Sequence, residues 1–324
     1  VRIKSELLTL FEKSEGSFVS GSMLAQKLSV SRNAVWKAIE SLRADGYKIN
    51  AVTNKGYQLE NSGDMLTGAG ILRYLKTHDV FKVEVLKSVT STNTLLREKA
   101  AHGASEGYVL AAEEQLAGKG RQGRSFHSPA KHGVYFSLLL KPGSKTNEAQ
   151  LITSAAAVAA ARAIEEVIGV SVGIKWVNDL FVNEKKVCGI LTEAVFDMES
   201  GLIDHAIVGI GINITRPESG YPEEIADIVT ALADQSADIG NRRNRLIAAT
   251  LDQFWAFYQN LDQREFLPEY RVRSIILGKE IRVIAPNGVR SARALEIDND
   301  CRLVVRYDDG QAEALGSGEI SIRF

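Results

Sequence analysis

The sequence predicts an α+β chain of several domains: a short helical module, a larger central domain of mixed strands and helices, and a small β-rich unit. Three observations lead there. The chain has 324 residues, and at roughly 100–200 residues per domain that is more than one domain. Its composition, 45% apolar with 24% charged residues, is ample for a packed core and excludes a disordered chain. Its patterning also changes twice, near residue 60 and again near Leu277. The expected domains are residues 1–63, 64–272 and 273–324, with Asn61-Ser62-Gly63-Asp64 as the first linker.

Composition narrows the function classes. The longest apolar-rich stretch, Gln150–Ala161, is too short to span a bilayer, so no membrane role is expected. The first residues lack the basic, apolar and small-residue order of a secretory signal. Two cysteines, Cys188 and Cys301, make no disulfide framework and point to the cytoplasm. The net charge of −1 gives no hint of nucleic acid until it is divided. Residues 1–63 carry +3 and the remainder −4.

In the first module, Met23, Leu24 and Leu28 predict a short amphipathic helix after Ser20-Gly21. Ser29-Val30-Ser31 makes a tight break, and Ser31 is suited to cap a second helix from Arg32 to Ala44. That helix puts Val35, Ile39 and Leu42 on one face, with Arg32, Asn33, Lys37 and Arg43 on the other. Tyr47, Ile49, Val52, Lys55-Gly56-Tyr57 and Leu59 then read as a β-hairpin with a basic tip. Two helices, a tight turn and a basic hairpin resemble a winged helix-turn-helix. On the DNA reading, Ser31, Arg32, Asn33 and Lys37 face base edges and phosphates and Lys55 sits on the wing. The alternative is a winged helix used only for protein contacts.

The central region alternates strand-like and helical runs. Its most informative segment is Glu114 to Arg124, which formally contains G-x-G-x-x-G at Gly118, Gly120 and Gly123. A dinucleotide fingerprint should open a helix. Here Ser125-Phe126-His127-Ser128-Pro129 follows, so dinucleotide binding is not expected, and with no G-x-x-x-x-G-K-[ST] a P-loop is excluded. What remains is a glycine loop with Lys119, Arg121 and Arg124, either an anion clamp ordered by its ligand or a solvated basic loop. The Ala-rich run Gln150–Ile168 reads as a core helix.

Val172 to Trp176 reads as a strand that carries Lys175 among apolar residues, where an unpaired ammonium is expensive. It should meet a structural carboxylate or a substrate anion. A turn at Val177-Asn178-Asp179 and a tip at Asn183-Glu184-Lys185 lead into Lys186 to Glu193. Ile207 to Asn213 is an apolar strand with Gly209 and Gly211, marks of close approach by a ligand or backbone. From Leu277, Ile281, Val283, Leu303 and Val305 alternate with charged residues between turns at Pro286-Asn287-Gly288, Asp298-Asn299-Asp300 and Asp308-Asp309-Gly310. We expect a small SH3-like β-barrel there. The five histidines show no zinc spacing and no G-x-S-x-G occurs, so neither a metal site nor a serine hydrolase is expected.

Ser91-Thr92-Asn93, Gln115 with Gly118-Lys119-Gly120-Arg121, Lys175-Trp176-x-Asn178-Asp179, Gly189-Ile190-Leu191-x-Glu193 and Gly209-x-Gly211-Ile212-Asn213 follow one another in a set order. With the winged helix in front and Gly318-Glu319-Ile320-Ser321 near the end, essentially the whole chain resembles the biotin–protein ligases. It is most similar to the bifunctional type that also represses the biotin operon.

The resemblance implies a two-step reaction: biotin and ATP give biotinyl-5′-adenylate and pyrophosphate, and a lysine of a biotin carboxyl carrier protein then takes the biotin. It implies Lys175 at the biotin carboxylate and α-phosphate, Arg121 and Arg124 closing over the phosphate, and Mg²⁺ on the leaving pyrophosphate. Ser91, Thr92, Asn93, Gln115, Lys119 and Gly120 would complete the biotin contacts. Gly118, Trp176, Asn178 and Asn213 would join the two arginines around the nucleotide. It further implies a homodimer on operator DNA, with the adenylate as co-repressor. Lys119 stands where many members have arginine, Val177 for a usual proline and Phe126 for a usual tryptophan. Asp179 is expected to fix its turn. A lipoate-type ligase and a ligand-responsive repressor without turnover are the alternatives.

Overall fold

A computed structural model describes residues 2–14, 16–60, 65–142, 148–197, 199–233, 242–285, 288–316 and 319–322. The expected linker Asn61–Asp64, the Pro286-Asn287 turn and Gly318 lie outside the described residues.

The N-terminal module consists of α1 (Arg2–Lys13), α2 (Gly21–Lys27), α3 (Arg32–Ala44) and the hairpin β1 (Ile49–Val52) and β2 (Gly56–Leu59). Ser20 caps α2 by accepting from Met23 N–H, and Ser31 caps α3 by accepting from Ala34 N–H at 3.1 Å. The α3 bounds match the expected helix. Leu7, Leu8, Phe11, Leu24, Val35, Ile39 and Leu42 are buried together in this module's own core. Arg43 turns inward, donating to Ile49 O and pairing with Glu40 at 2.7 Å, so it braces the hairpin instead of facing outward.

Next come α4 (Gly68–Tyr74), β3 (Lys82–Val89), α5 (Thr92–Ala101), β4 (Tyr108–Gln115), β5 (Gly133–Leu140) and α6 (Glu148–Ile168). They continue as β6 (Gly173–Lys175), β7 (Asp179–Val182), β8 (Lys185–Phe196), β9 (Ile203–Asn213), α7 (Arg242–Tyr258) and α8 (Leu267–Val272). The strands form a seven-stranded sheet, β3-β4-β5-β9-β8-β7-β6, antiparallel except for the β3–β4 pair. A parallel pair needs a crossover, and α5 supplies it. Helix α6 is buried through its middle: Ala155–Ala157, Ala159–Ala161 and Ala163 have no exposed surface. Small side chains let it sit close between the sheet and α7, as the alanine run predicts.

The C-terminal strands β10 (Glu280–Ala285), β11 (Gly288–Ile297), β12 (Leu303–Tyr307), β13 (Ala312–Leu315) and β14 (Glu319–Ile322) form an antiparallel sheet in the order β13-β12-β11-β10-β14. Among the described residues no pairing of β13 with β14 closes the barrel expected from the sequence. The unit is fastened to the central domain: its Cys301 carbonyl accepts from Trp176 Nε1 at 2.9 Å and from Gln150 Nε2 at 2.5 Å. Burial pushes the Cys301 thiol up to about 11, so it stays uncharged. Among the described residues, no helix is long and apolar enough to cross a membrane.

Arg273 after α8 joins Glu165 of α6 at 2.6 Å and Glu269 at 2.8 Å, and Arg162 also reaches Glu269. The Arg273 guanidinium, helped by Ser171, holds the Glu165 carboxyl at about 2 against the opposing effect of burial. A carboxyl whose folded value lies below its unfolded one stabilises the fold above the unfolded value and loses that contribution as pH falls toward the folded one. The melting temperature should therefore fall more steeply between pH 4.5 and 3 in the native chain than in an Arg273→Gln variant. Parallel curves in scanning calorimetry would contradict this coupling.

Candidate active site

Strand β9 explains why the sheet leaves room for a ligand. Ala206, Val208, Ile210 and Ile212 point into the core beneath α6 and α7. Alternation sends Ile207, Gly209, Gly211 and Asn213 to the opposite face. Two of those four carry no side chain. The register sets Gly211 beside Gly189 of β8 and Tyr135 of β5, and Gly209 beside Leu191 and Ser137. The outcome is a floor of bare backbone. A methyl group at 209 would overlap Asn93 Oδ1, and one at 211 would overlap the Phe126 ring.

Helix α5 supplies one wall. Ser91, Thr92 and Asn93 are all buried at its N-terminus. Gln115 Oε1 accepts from Thr92 N–H at 2.9 Å and lies 3.0 Å from Thr92 Oγ1, while its Nε2 donates to Ser128 Oγ at 2.9 Å. Ser137 Oγ lies 2.6 Å from Asn93 Oδ1 and 2.7 Å from Thr92 Oγ1. Since Asn93 Oδ1 only accepts, the Ser137 proton goes to it. Asn93 Nδ2 donates to Glu193 Oε2 at 2.8 Å and to Leu191 O at 3.3 Å. Asn93 is thus committed to protein partners and shapes the wall. Ser91, at the N-cap without a side-chain capping bond, keeps its hydroxyl for the cavity.

The glycine loop is folded back as a hairpin. Gly118 O accepts from Phe126 N–H at 2.8 Å, and Gly120 N–H donates to Arg124 O at 2.7 Å. A Cβ at Gly118 would overlap the Phe126 carbonyl, which is why glycine is needed there. Lys119, Gly120 and Arg121 line the cavity, and Arg121 Nη1 donates to Asn178 Oδ1 at 3.2 Å. Arg124 stands exposed at the other end of the turn, off the cavity wall.

Besides Lys119, the lysine that lines the cavity is Lys186, not Lys175. Lys186 Nζ pairs with Asp179 Oδ1 at 2.7 Å and lies 5.9 Å from the Phe126 ring centre. Its backbone is clamped, the N–H donating to Ile228 O and the C=O accepting from Thr230 N–H, both at 2.9 Å. Lys175, at the end of β6, has its Nζ 5.6 Å from the Phe181 ring centre. Trp176 is buried against the C-terminal unit, and Asn213 Nδ2 donates to Thr230 O at 3.2 Å. Of the residues expected at the site, Ser91, Thr92, Asn93, Gln115, Lys119, Gly120, Arg121 and Asn178 meet at the cavity, while Lys175, Arg124, Gly118, Trp176 and Asn213 do not line it.

A second, open cleft of about 700 Å³ lies between the central and C-terminal units. It shares Arg121, Ile190 and Leu191 with the inner cavity and is bounded outside by Asp300 and Arg302. Arg121 stands at the junction. The inner site carries Lys119, Arg121 and Lys186 with Asp179 as the carboxylate paired to Lys186, an excess of positive charge that suits an anion. Burial pushes the Cys188 thiol up beside the floor, so it offers no thiolate nucleophile. Among the described residues no group of three His, Cys, Asp or Glu could hold a metal ion.

The chain matches the Biotin/lipoate A/B protein ligase family over residues 85–213. It matches an HTH domain over 4–58 and the biotin protein ligase C terminal domain over 276–323. It is 34% identical over 312 residues to the bifunctional ligase/repressor BirA of Bacillus subtilis (strain 168), spanning 95% of each chain. The chain belongs to the biotin protein ligase family, in its bifunctional ligase/repressor form. The ligase is also 28% identical to the bifunctional ligase/repressor BirA of Escherichia coli, over 95% of this chain and 94% of that one. Among solved structures it resembles the biotin protein ligase from Aquifex aeolicus in complex with biotin and ATP. That likeness has a TM-score of 0.61 at 28% identity, covering 75% of this chain and 98% of that one.

Sequence reasoning missed two contributors. Ser137 sits in an apolar strand, and its signal was the strand period itself, which puts it on the same face as the floor glycines. Lys186 follows Lys185 in a charged tip, and the pattern offered nothing to separate it from a solvated pair; only the folded hairpin does, with Lys186 opposite Phe181 and its Nζ reaching back to Asp179 at 2.7 Å.

Proposed function

We propose that this ligase activates biotin with ATP and passes it to a lysine of a biotin carboxyl carrier protein, and that it represses transcription when the adenylate is bound. The observation that carries the reading is the glycine-floored cavity lined by Lys186 and Arg121, where an apolar acid can lie with its carboxylate among cations. In the first step a carboxylate oxygen attacks the α-phosphorus and the bond to the pyrophosphate oxygen breaks. In the second the carrier amine attacks the acyl carbon, AMP leaves and the amine loses a proton. Fixed cations offset the charge brought together in the first step. Lys186 takes the place at the carboxylate and α-phosphate that the sequence had suggested for Lys175. Arg121 closes over the phosphate from the junction of the two cavities, and Arg124 is carried on the same hairpin. Ser91 offers its hydroxyl to the ureido ring, and Gln115 and Asn93 hold the wall in shape. Gly118 lets the hairpin fold back, Asn178 orients Arg121, and Trp176 and Asn213 tie the site to its outer segments. Mg²⁺ arrives as part of the MgATP substrate, since hydrated Mg²⁺ is commonly held by substrate phosphates with one or two carboxylates. Two buried, unpaired cysteines suit a cytoplasmic protein.

Biotin-dependent release of pyrophosphate from ATP tests the enzymatic reading, and release driven by lipoate in place of biotin would reverse the substrate assignment. For repression, Asn33, Lys37 and Lys55 are exposed on α3 and the hairpin tip, while Arg32 donates to Ser22 Oγ and the Ser31 hydroxyl is used in capping. We assign DNA contact to this face, presented twice by a homodimer. A phosphate-contacting lysine contributes about one unit to the salt dependence of binding. Lys37→Ala should therefore weaken duplex binding and lower the slope of log affinity against log salt by about one. An unchanged slope in fluorescence anisotropy would remove Lys37 from the contact.

A further inference from the structure

Two consecutive residues of α7 carry polar side chains that lie almost wholly out of water. Arg243 has no exposed surface and Asn244 is 1% exposed. They reach in different directions. Arg243 makes a forked pair with Glu113, Nη1 to Oε2 at 2.7 Å and Nη2 to Oε1 at 3.3 Å. Glu113 and Gln115 are two residues apart on β4, Glu113 turned to α7 and Gln115 to the cavity wall, so the strand's backbone joins the two. Gln115 is the side chain that holds Thr92 at the cavity wall. Asn244 reaches the other way. Its Nδ2 donates to Met65 O at 2.7 Å, and its Oδ1 accepts from Thr67 N–H at 3.2 Å. Thr67 caps α4 through Gly70 N–H at 2.9 Å, and its hydroxyl meets Tyr47 Oη of the N-terminal module at 2.6 Å. Helix α4 belongs to both bodies, Ala69 buried in the winged-helix core and Ile71 in the central core. Burial pushes the Tyr47 hydroxyl up to about 12, so it remains protonated and keeps this bond across the working pH range.

A buried ion pair is a poor source of stability, because the desolvation of both ions offsets their attraction, yet removing one partner is costly. Two adjacent buried polar side chains that reach in different directions specify position instead. We propose that Arg243 and Asn244 are positioning residues that tie the geometry of the biotin wall to the seating of the winged-helix module. The inference rests on the ligase reading of the cavity. Binding that fixes the Thr92–Gln115 wall favours one placement of β4 and α7, and with it one seating of Thr67 and Tyr47. By linkage, loosening the seating weakens biotin binding by the same factor. The partner at issue is the chain's own DNA-binding module.

The test uses the full chain, with biotin titrated by calorimetry well below the melting temperature. Thr67→Val keeps the shape of the side chain and removes the hydroxyl, and Tyr47→Phe removes its partner. Neither residue touches the cavity. We expect each to raise the biotin KM and dissociation constant about five- to tenfold with kcat within twofold, and the double variant to be no worse than either single one. Thr67→Ser should restore the native value. Glu113→Gln should give a similar loss from the other end. In hydrogen exchange, biotin should slow the amides of residues 65–71 in the native chain but not in Glu113→Gln. Biotin affinity within twofold of native in Thr67→Val and Tyr47→Phe, with only a lower melting temperature, would overturn the proposal. Failure of every protein, the native chain included, to bind biotin would instead overturn the ligase reading beneath it.

Discussion

Replacing Lys186 by alanine is expected to lower biotin-dependent adenylate formation on the order of 10²–10³-fold, the loss that follows removal of one preorganised donor from a charge-stabilising site. The ammonium is held for its task. Asp179 fixes it at 2.7 Å, and the backbone on either side is pinned to Ile228 and Thr230. The cavity is lined by this group and by Arg121, which itself leans on Asn178. Lys175→Ala is expected to cost less than tenfold, because its Nζ lies over Phe181 and off the cavity wall. Asp179→Asn should fall between the two, since the lysine keeps its charge and loses its anchor. Pyrophosphate release in single-turnover conditions reads all three. A severe loss in Lys175→Ala with a mild one in Lys186→Ala would return the role to Lys175.

The second large effect belongs to a missing side chain. Gly209→Ala places a methyl group into Asn93 Oδ1, and Asn93 has nowhere to retreat, being bonded to Ser137, Leu191 O and Glu193. Overpacking at such a point costs roughly 1–3 kcal/mol. At about 1.4 kcal/mol per tenfold, the cost falls on biotin affinity as a loss of roughly 5- to 150-fold when the wall is what moves. Contacting residues couple, so the same substitution should cost less in an Asn93→Ala background. Equilibrium dialysis of labelled biotin against the two single variants and the double one measures the coupling. Strictly additive losses would show that the methyl group and Asn93 do not meet.

Much of this architecture was legible in the residues. The Ser31 cap, the α3 bounds and the alanine-rich core helix follow from local chemistry, and the structure reproduces them. The glycines at 209 and 211 announced close approach, and the sheet register shows what approaches: Asn93 over one and Phe126 over the other. What the sequence could not rank was two lysines. Lys175 stood out because its neighbours are apolar, and Lys186 was hidden because its neighbour is charged. Isolation in sequence is a statement about one strand, whereas a site is assembled across several, and only pairing Asp179 with Gly189 brings Lys186 over the floor. Arg43 shows the converse. It lay on the outer face of the helix by period, but a long side chain can fold back, and Ile49 O was within reach. The Arg243–Asn244 pair left no trace in the pattern either, because both residues read as an ordinary polar start to α7.

The central claim is that cavity and cleft together join biotin to a carrier lysine at the expense of ATP. Incubating the full chain with biotin, MgATP and a biotin carboxyl carrier domain, and weighing the carrier by intact mass spectrometry, tests it most directly. The carrier should gain one biotinyl group on a single lysine, only when ATP is present, and the gain should vanish with Lys186→Ala. A carrier that stays unmodified while the chain binds biotin tightly would contradict the account and leave a ligand-responsive repressor in its place.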